Sequence, residues 1–335
     1  MDKPIPRAIV ALILTIGILA LGNGWRLVMP AVAWPATSTE LESVPVPSND
    51  LGPSSQPSPA QRWIPSVRKS TSPERGRDLV QVMTYNIHHG RGLSGELDLG
   101  EIAAVIEASG ADIIGLQEVD RNYGQRSNYQ DQPELLANRL NMQYVYGESL
   151  RVRHLRPGRG IGYYGNMILS RYPILESQIL RLPNQWGSEP RTALKTIIEI
   201  PSGPIAVWVT HLGLSNVERE AQVGRLLEAI AEEELPSIVL GDFNAVAETP
   251  EIRALANQFQ DVGRVLAFDN MGTFYGDPLA PMPRIDYIWA AHGLQPASYK
   301  VIPSRASDHL AVTANLVVSS EGRQVQTTKR RGEFK

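Results

Sequence analysis

Residues 237–244 read SIVLGDFN, and residues 307–309 read SDH just before the apolar run of residues 310–318. In both stretches a polar motif adjoins an apolar run that is typical of a buried strand. A rigid strand can present a polar side chain at its end to a ligand. The two stretches therefore predict a β-rich domain whose strand ends carry chemistry. The alternative for GDFN alone is a β-turn in which Asp and Asn bond to their own backbone.

The same arrangement recurs along the chain. Five further polar motifs occur at the ends of apolar runs: TYN at 84–86, LQEVD at 116–120, GN at 165–166, THLG at 210–213 and RIDYI at 284–288. One such motif is weak evidence of a site. Because the seven motifs together include the carboxylates Glu118, Asp242 and Asp308, the set predicts that several strand ends converge on one site.

Strand signals outnumber helix signals. Residues 197–200 and 205–209 flank the turn sequence PSGP and predict a hairpin. Asp98 indicates the start of a helix that Gly110 would terminate. Ser215, with Glu218 as a capping box, indicates a second helix start, and Thr249-Pro250 indicates a third. Strands and helices do not alternate regularly. The pattern therefore favours an α/β (α+β) fold of two stacked, mainly antiparallel sheets with helices outside, over a doubly wound parallel sheet.

Composition excludes several classes of protein. The 335 residues are 42% apolar and 20% charged, which is ordinary for a globular protein and excludes disorder along the whole chain. The absence of cysteine excludes disulfide scaffolds, zinc–thiolate sites, iron–sulfur clusters and thiol nucleophiles. The net charge of −3 disfavours an extended basic face for nucleic acid.

The ends of the chain differ from its middle. Lys3 and Arg7 precede an apolar run at 8–21, and Ala-Val-Ala at 31–33 resembles a cleavage site. The long gap between the run and that site leaves two readings of residues 1–33 open, a signal peptide or an N-terminal membrane anchor. We therefore expect the protein to be exported (periplasmic or extracellular) or anchored to the membrane by this segment.

Three further segments follow the N-terminal one. Residues 34–78 are rich in Pro, Ser and Thr and predict a disordered linker. Residues 79–318 form the folded domain, and residues 319–335 form a polar tail.

The residue types at the predicted site suit the hydrolysis of a phosphate ester with a divalent metal. Mg²⁺ prefers oxygen ligands, and carboxylates and carboxamides supply them. A bound metal polarises a phosphoryl oxygen and lowers the pKa of water. A histidine that is held by a carboxylate can exchange protons, and Asp286 is a candidate partner for His309. His211 is a second, independent imidazole.

The motif order TYN, QE, GN, THL, GDFN, D-Y, SDH over about residues 80–318 resembles the endonuclease/exonuclease/phosphatase superfamily, which has the deoxyribonuclease-I-like fold. GDFN and SDH together are the specific part of this resemblance. It implies a four-layer sandwich of two mainly antiparallel β-sheets flanked by helices. It also implies a phosphoester hydrolase that depends on Mg²⁺ or Mn²⁺, with residues 79–318 as the catalytic domain.

The resemblance also implies roles for individual residues. Metal ligands would be Asn86, Glu118 and Asp308. The catalytic group would comprise His211, Asp242, Asn244, Asp286 and His309. In it, Asp242 would orient or activate the attacking water, and Asn244 would donate to a phosphate oxygen. His309, oriented by Asp286, would contact the phosphate or act as the base, and His211 would stabilise the pentacovalent state or serve the leaving group.

Other polar residues allow two readings each. Asn166 and Arg191 are candidate substrate contacts, although a hydrogen bond inside a strand would explain Asn166 nearly as well. The sequence RVRHLRPGRG at 151–160 is either a solvated loop or a phosphate-binding edge of the site. His88 and His89 follow TYN directly, and we expect them to be loop residues without a catalytic role.

The sequence leaves the substrate open. The predicted tether favours a phospholipid headgroup or another small phosphodiester as the substrate of an exported or membrane-tethered phosphodiesterase or phosphatase. The alternative is an endonuclease or exonuclease that acts on DNA or RNA, with the arginines of residues 151–160 contacting phosphates. A catalytically silent binding module of the same fold is the alternative from another class. We expect a monomer that associates with the membrane through its N-terminal segment.

Overall fold

The computed structural model describes residues 41–46, 79–154, 160–276 and 279–318. All of these belong to the unit Ala31–Lys335, and a second unit, Met1–Pro30, lies outside the described residues. The predicted leader and the polar tail also lie outside them. In the described part of the chain, no helix combines the length and the apolar character needed to cross a membrane.

The described residues contain thirteen strands. In chain order these are β1 (Glu42–Ser43), β2 (Leu79–Asn86), β3 (Ile113–Arg121), β4 (Gln143–Arg153), β5 (Ile161–Ser170), β6 (Ile174–Arg181), β7 (Thr192–Ile200), β8 (Gly203–His211), β9 (Ser237–Asp242), β10 (Gln260–Asp261), β11 (Asp286–Ala290), β12 (Leu294–Ile302) and β13 (Ala311–Val318). The predicted hairpin is confirmed as β7 and β8, which are joined by a short turn.

Three of the five described α-helices begin at their predicted starts, and α2 and α5 were not predicted. They are α1 (Leu99–Ser109), α2 (Gln132–Leu140), α3 (Asn216–Ala231), α4 (Pro250–Ala256) and α5 (Val262–Val265). The Asp98 carboxylate accepts from the first backbone amides of α1, and Gly110 ends that helix with a φ of 68°. Pro250 occupies the first turn of α4, where its missing N–H leaves no bond unmade.

The strands form two mixed sheets. One has the order β1-β6-β7-β8-β9-β11-β10, and the other has the order β12-β13-β2-β3-β5-β4. Neighbouring strands are antiparallel except for β2 with β3 and β8 with β9, which are parallel. Helix α1 lies in the connection from β2 to β3, and α3 lies in the connection from β8 to β9. The predicted fold class, a sandwich of two mainly antiparallel sheets with helices outside, is confirmed.

Apolar side chains fill the layers on both sides of the sheets. Val80 and Val82 of β2 belong to the core between the sheets, whereas Met83 and Tyr85 of the same strand pack in a second core with Ile106 of α1. Successive side chains of a strand point to opposite faces. Because both faces of β2 are covered, apolar residues occur on both faces of the strand and its sequence does not alternate strictly.

The predicted capping box of α3 is wrong. Ser215 stands at the N-cap, but its side chain makes no capping hydrogen bond. Glu218 is buried, and its carboxylate accepts from the backbone N–H of Gln185 at 2.6 Å and from the Ser188 hydroxyl. A buried carboxylate needs donors, and the loop after β6 supplies them. Glu218 therefore fixes that loop instead of capping its own helix.

The prediction of a disordered linker does not hold for residues 41–46. Glu42 and Ser43 pair antiparallel with Ile179 and Gln178 at the edge of the seven-stranded sheet. The Val44 N–H donates to the Ser177 carbonyl at 2.9 Å. A two-residue strand is too short to produce an alternating pattern, so no periodicity predicts it. The remainder of residues 34–78 lies outside the described residues.

We expect the replacement Gly115→Val to destabilise the domain. Gly115 lies on β3 where the sheets meet, and an added Cβ would stand 2.5 Å from Val209 and 3.2 Å from Leu240. Overpacking of this kind costs about 1–3 kcal/mol in the free energy of unfolding. Urea unfolding followed by circular dichroism measures it. Gly224→Ala is the matched control, because nothing lies within 4 Å of that position in α3.

The control should raise the free energy of unfolding by about 0.5–1 kcal/mol, since alanine favours a helix interior over glycine. Equal stability of Gly115→Val and the unmodified protein would contradict the close approach of the two sheets at this point.

Candidate active site

Polar side chains from both sheets meet where the central strands end. His211 is the last residue of β8, Asp242 is the last of β9, and Asp286 is the first of β11. These three are direct neighbours in the sheet, since Asp242 is paired with both of the others. Asn86 ends β2 in the other sheet. One edge of the sandwich therefore gathers residues that are far apart in the sequence.

Glu118 reaches this edge through an irregularity of β3. The pairing of β3 with β5 shifts register between Leu116 and Val119, and Glu118 has a φ of 59°. Such a bulge re-aims a side chain within a strand. The Glu118 carboxylate accepts a hydrogen bond from the Asn86 amide at 3.1 Å. The bulge thus brings a third carboxylate to the site, beside Asp242 and Asp286.

The Asn86 side chain connects the motifs that the sequence singled out. Its Nδ2 also donates to Asp242 Oδ2 at 3.0 Å and lies 3.4 Å from His309 Nε2. The Ser307 hydroxyl donates to the Asn86 carbonyl at 2.8 Å, which ties SDH to TYN. Asn86 is fully buried, so these contacts fix its amide in one place. The predicted convergence of TYN, QE, GDFN and SDH is present.

His309 is paired with a carboxylate. Its Nδ1 donates to Asp286 Oδ2 at 2.9 Å, and the Thr273 hydroxyl donates to the same oxygen at 2.6 Å. Burial alone would lower the pKa of His309, but the charges of Asp286 and Asp242 outweigh it and raise that pKa to about 10. His309 is therefore an imidazolium at neutral pH, with Nε2 lying 3.6 Å from Asp242 Oδ2.

His211, in contrast to His309, is a neutral imidazole. The Arg191 guanidinium lies 3.1 Å from His211 Nδ1, and a guanidinium only donates, so this nitrogen is the acceptor. Burial, followed by the charges of Arg191 and His309, lowers the pKa of His211 well below its ordinary value. The proton of the neutral ring therefore sits on Nε2, which faces Asp242 Oδ2 at 3.4 Å.

Asp242 lies between the two imidazoles. Burial raises its pKa to about 7, against the lowering effect of the His309 charge. The backbone N–H of Asn244 donates to Asp242 Oδ1 at 2.9 Å, and the Asn244 amide donates to the Leu212 carbonyl at 3.0 Å. A carboxylate with this pKa can exchange a proton near neutral pH.

The donor set fits a divalent cation. Burial raises the pKa of Glu118, which means that its negative charge is poorly compensated by the surrounding protein. The carboxylate of Asp308, about a third exposed, lies 3.6 Å from His88 Nδ1. Asn86, Glu118 and Asp308 together offer carboxylate and amide oxygens, the ligands that Mg²⁺ and Mn²⁺ prefer. A divalent cation would offset the excess of negative charge.

The remaining predicted residues surround this group in different ways. Asn166 is buried, and its amide donates to the Thr192 carbonyl at 3.0 Å. This hydrogen bond joins the two sheets, so the role of Asn166 is structural. The Nε of Arg191 is buried without a hydrogen-bond partner in the described part of the chain. Arg151 pairs with Glu148, and residues 155–159 lie outside the described residues.

Sequence reasoning missed three features of the site. Thr273, which donates to Asp286, lies in a loop without any motif. The contact of Arg191 with His211 joins two candidate residues from separate segments of the chain. His88 and His89, set aside as loop residues, each place a ring nitrogen within 4.8 Å of a Glu118 carboxylate oxygen. Their position directly after TYN was the only available signal.

Comparison with known proteins supplies an independent line of evidence. Residues 83–309 match the Endonuclease/Exonuclease/phosphatase family. The Uncharacterized protein YbhP of Escherichia coli (strain K12) is 32% identical over 179 residues, which are 49% of this chain and 66%, slightly under two thirds, of that protein.

Two solved structures are similar to the described fold. The endonuclease/exonuclease/phosphatase from Beutenbergia cavernae DSM 12333 has a TM-score of 0.61 and 26% identity, with 72% of each chain covered. The catalytic domain of human Nocturnin, solved with a bound sulfate anion, has a TM-score of 0.55 and 24% identity, with 72% of this chain and 94% of that chain covered. The second likeness shows a shared fold only.

We expect Asp286→Asn to lower the pKa of His309 in the metal-free protein. The substitution removes the negative charge that lies against His309 Nδ1. Histidine NMR titration in EDTA should show the His309 ring still charged at pH 8 in the unmodified protein and neutral there in the variant. A folded pKa near 10, above the ordinary value of about 6.5, stabilises the fold fully below pH ~6.5 and progressively less up to pH 10.

The stability difference between the two proteins should therefore shrink as the pH rises through that window. An unchanged titration of His309 in the variant would contradict the assignment of Asp286 as its charge partner.

Proposed function

The chain belongs to the Endonuclease/Exonuclease/phosphatase family, and from its site we propose that it is a divalent-metal-dependent phosphoric ester hydrolase. The observation that carries the proposal is the set of groups around the Asp242 carboxylate. Asn86, His211 and His309 approach its Oδ2 at 3.0, 3.4 and 3.6 Å respectively. A base, a neutral imidazole and an imidazolium thus face one small volume.

The charge states assign different tasks to these groups. Asp242, with a pKa near 7, accepts a proton from the attacking water and aligns it. The His309 imidazolium, held by Asp286, donates to a phosphoryl oxygen and offsets the charge that builds up in the transition state. His211 donates through Nε2, because the Arg191 guanidinium occupies its Nδ1.

Asn86, Glu118 and Asp308 are the residues that would hold the metal. When bound, a divalent ion supplies Lewis-acid polarisation of the phosphoryl oxygen and a lowered pKa for water. Mg²⁺ or Mn²⁺ suits the oxygen donors of these three residues. Water attacks phosphorus directly in this scheme, so the chain needs no nucleophilic side chain, in keeping with its lack of cysteine.

Chelation should abolish hydrolysis of a small chromogenic phosphodiester, and Mg²⁺ or Mn²⁺ should restore it. His309→Gln should lower kcat/KM at least 100-fold with metal present, because proton transfer and charge stabilisation of this kind contribute about 10²–10⁴ in rate. His292→Gln, which changes an exposed histidine in a turn, is the control and should stay within twofold. Thermal unfolding midpoints verify that each variant is folded.

Hydrolysis that survives EDTA, or a fully active His309→Gln variant, would contradict the proposed chemistry.

We further propose a phospholipid headgroup as the substrate, on the evidence of exposed apolar side chains around the site. Trp186 is 97% exposed and Leu214 is 77% exposed, and Val217 and Val246 are exposed as well. Isolated apolar residues at a surface are normal, whereas a group of them marks an interaction site. Trp and Leu are residues that partition into the interface of a bilayer.

The loops that carry these side chains leave the same strand ends as the catalytic residues. Trp186 lies in the loop before β7, Leu214 follows His211, and Val246 follows Asn244. Glu218 bonds the first loop to the start of α3, and the Asn244 amide bonds the third to the second at Leu212. The apolar residues therefore border the site. The predicted leader or anchor at residues 1–33 would hold the domain near a membrane.

The double variant Trp186→Ser/Leu214→Ser should bind vesicles at least tenfold more weakly and hydrolyse vesicle phospholipid correspondingly more slowly. Each of these side chains contributes about 1.5–3 kcal/mol when it is buried in an apolar phase. Hydrolysis of the soluble phosphodiester should stay within twofold. Leu175→Ser is the matched control, because Leu175 is 51% exposed at the opposite end of β6 from Arg181.

The substrate panel contains sphingomyelin vesicles, phosphoinositide vesicles and plasmid DNA, all assayed with one preparation. Cleavage of DNA without cleavage of either vesicle would favour the nuclease alternative and overturn the lipid proposal. Equal vesicle binding by the double variant and the unmodified protein would contradict the proposal that Trp186 and Leu214 dock on the lipid surface.

A further inference from the structure

Three residues beside the site have a backbone conformation that is costly for them. His88 and His89 each have a φ of 45°, and Glu118 has a φ of 59°. Side chains with a Cβ pay roughly 1–2 kcal/mol in the left-handed region. Strain of this kind persists only where the surrounding structure enforces it, and it concentrates at functional sites. The three strained residues are also spatial neighbours.

Buried hydrogen bonds enforce the turn that contains the two histidines. The His88 N–H donates to Asn86 Oδ1 at 3.0 Å, and Gln132 Nε2 donates to the His89 carbonyl at 2.6 Å. Gln132 is fully buried, and its Oε1 accepts from the Asp120 N–H at 2.9 Å. The turn is thus fixed to β2 on one side and to β3 on the other, so the positions of both imidazoles are set by the fold.

The imidazoles lie beside the Glu118 carboxylate. One ring nitrogen of each, with a Glu118 carboxylate oxygen, forms a triangle whose corners lie within 4.8 Å of one another. The Nδ1 atoms of His88 and His89 are both buried and have no hydrogen-bond partner among the described residues, and Asp308 Oδ1 lies 3.6 Å from His88 Nδ1. His89 is 6% exposed, and the two ring centroids are 4.5 Å apart, edge to face.

A purely structural role explains these rings poorly. Buried polar atoms in proteins are almost always paired, because an unpaired one costs about 1–3 kcal/mol. A neutral imidazole next to a carboxylate is the usual combination in a transition-metal site.

We propose that His88, His89 and Glu118 form a site for a borderline transition-metal cation such as Zn²⁺ or Co²⁺, with Asp308 adjacent to it. Imidazole nitrogen favours these ions, whereas the all-oxygen set of Asn86, Glu118 and Asp308 favours Mg²⁺ or Mn²⁺. Glu118 belongs to both sets and bridges them. The inference deepens the proposed hydrolase site by adding nitrogen ligands on the side of Glu118 that faces the histidine turn.

The test is a metal titration of the full chain, prepared without a histidine tag and stripped with a chelator. Co²⁺ binding is followed by its visible absorption, and Zn²⁺ retained after gel filtration is counted by elemental analysis. The variant His88→Asn/His89→Asn removes both nitrogen ligands, and asparagine tolerates the left-handed backbone at these positions. His292→Asn is the control, because it removes an exposed histidine elsewhere.

We expect the double variant to lose one equivalent of Co²⁺ and of Zn²⁺, together with the absorption of nitrogen-bound Co²⁺, while the control binds as the unmodified protein does. The single variants His88→Asn and His89→Asn should each weaken Co²⁺ binding at least tenfold, and they test the site if the double variant fails to fold. Unchanged stoichiometry and spectrum in the folded variants would overturn the proposal.

Hydrolysis is measured separately, with Mg²⁺. A protein that binds Co²⁺ through the two histidines but hydrolyses no phosphate ester would refute the proposed function and leave the cation site standing. If the protein hydrolyses phosphate esters and the histidine variants bind Co²⁺ as the unmodified protein does, the cation site alone is refuted.

Discussion

One buried amide holds the site together. The Asn86 side chain donates to Glu118 and to Asp242, two carboxylates that come from different sheets, and the Asn86 backbone carbonyl accepts from Ser307. The bond to Asp242 crosses from one sheet to the other, so it depends on how the two sheets lie against each other, which the close approach of Gly115 to Leu240 constrains. The apolar packing between the sheets therefore determines the polar geometry at their edge. A shift of one sheet would separate the two carboxylates before it exposed much apolar surface.

His309 is charged and His211 is neutral because the partners of these two histidines carry opposite charges. Asp286 lies against His309 and keeps it protonated, whereas Arg191 lies against His211 and keeps it neutral. Burial amplifies both effects, since charges interact more strongly away from water. The same residue type thus supplies a charged donor on one side of Asp242 and a neutral donor on the other. The division of tasks in the proposed hydrolysis follows from this difference.

The sequence predicted those parts of the site that short-range patterns determine. Asp242 and Asn86 adjoin apolar runs, so their positions at strand ends followed from those runs. The partnership of Asp286 with His309 was suggested by chemistry and is present as a direct contact. Other features depend on distant packing: the bulge that turns Glu118, the hydroxyl of Thr273 and the edge strand β1. No local pattern encodes them, because each is decided by which strand lies beside it.

The borders of the site are connected to its chemistry by buried polar bonds. Glu218 binds the loop of Trp186, and Asn244 binds both Asp242 and the loop of Leu214. An apolar surface that pressed on the Leu214 loop would therefore act on Asn244, which is one hydrogen bond away from the Asp242 carboxylate that activates the attacking water. Buried hydrogen bonds are short and directional, so small displacements of the loops alter the position of Asp242 more than apolar contacts would. On the proposed lipid surface, docking and the alignment of the catalytic groups would be one event rather than two.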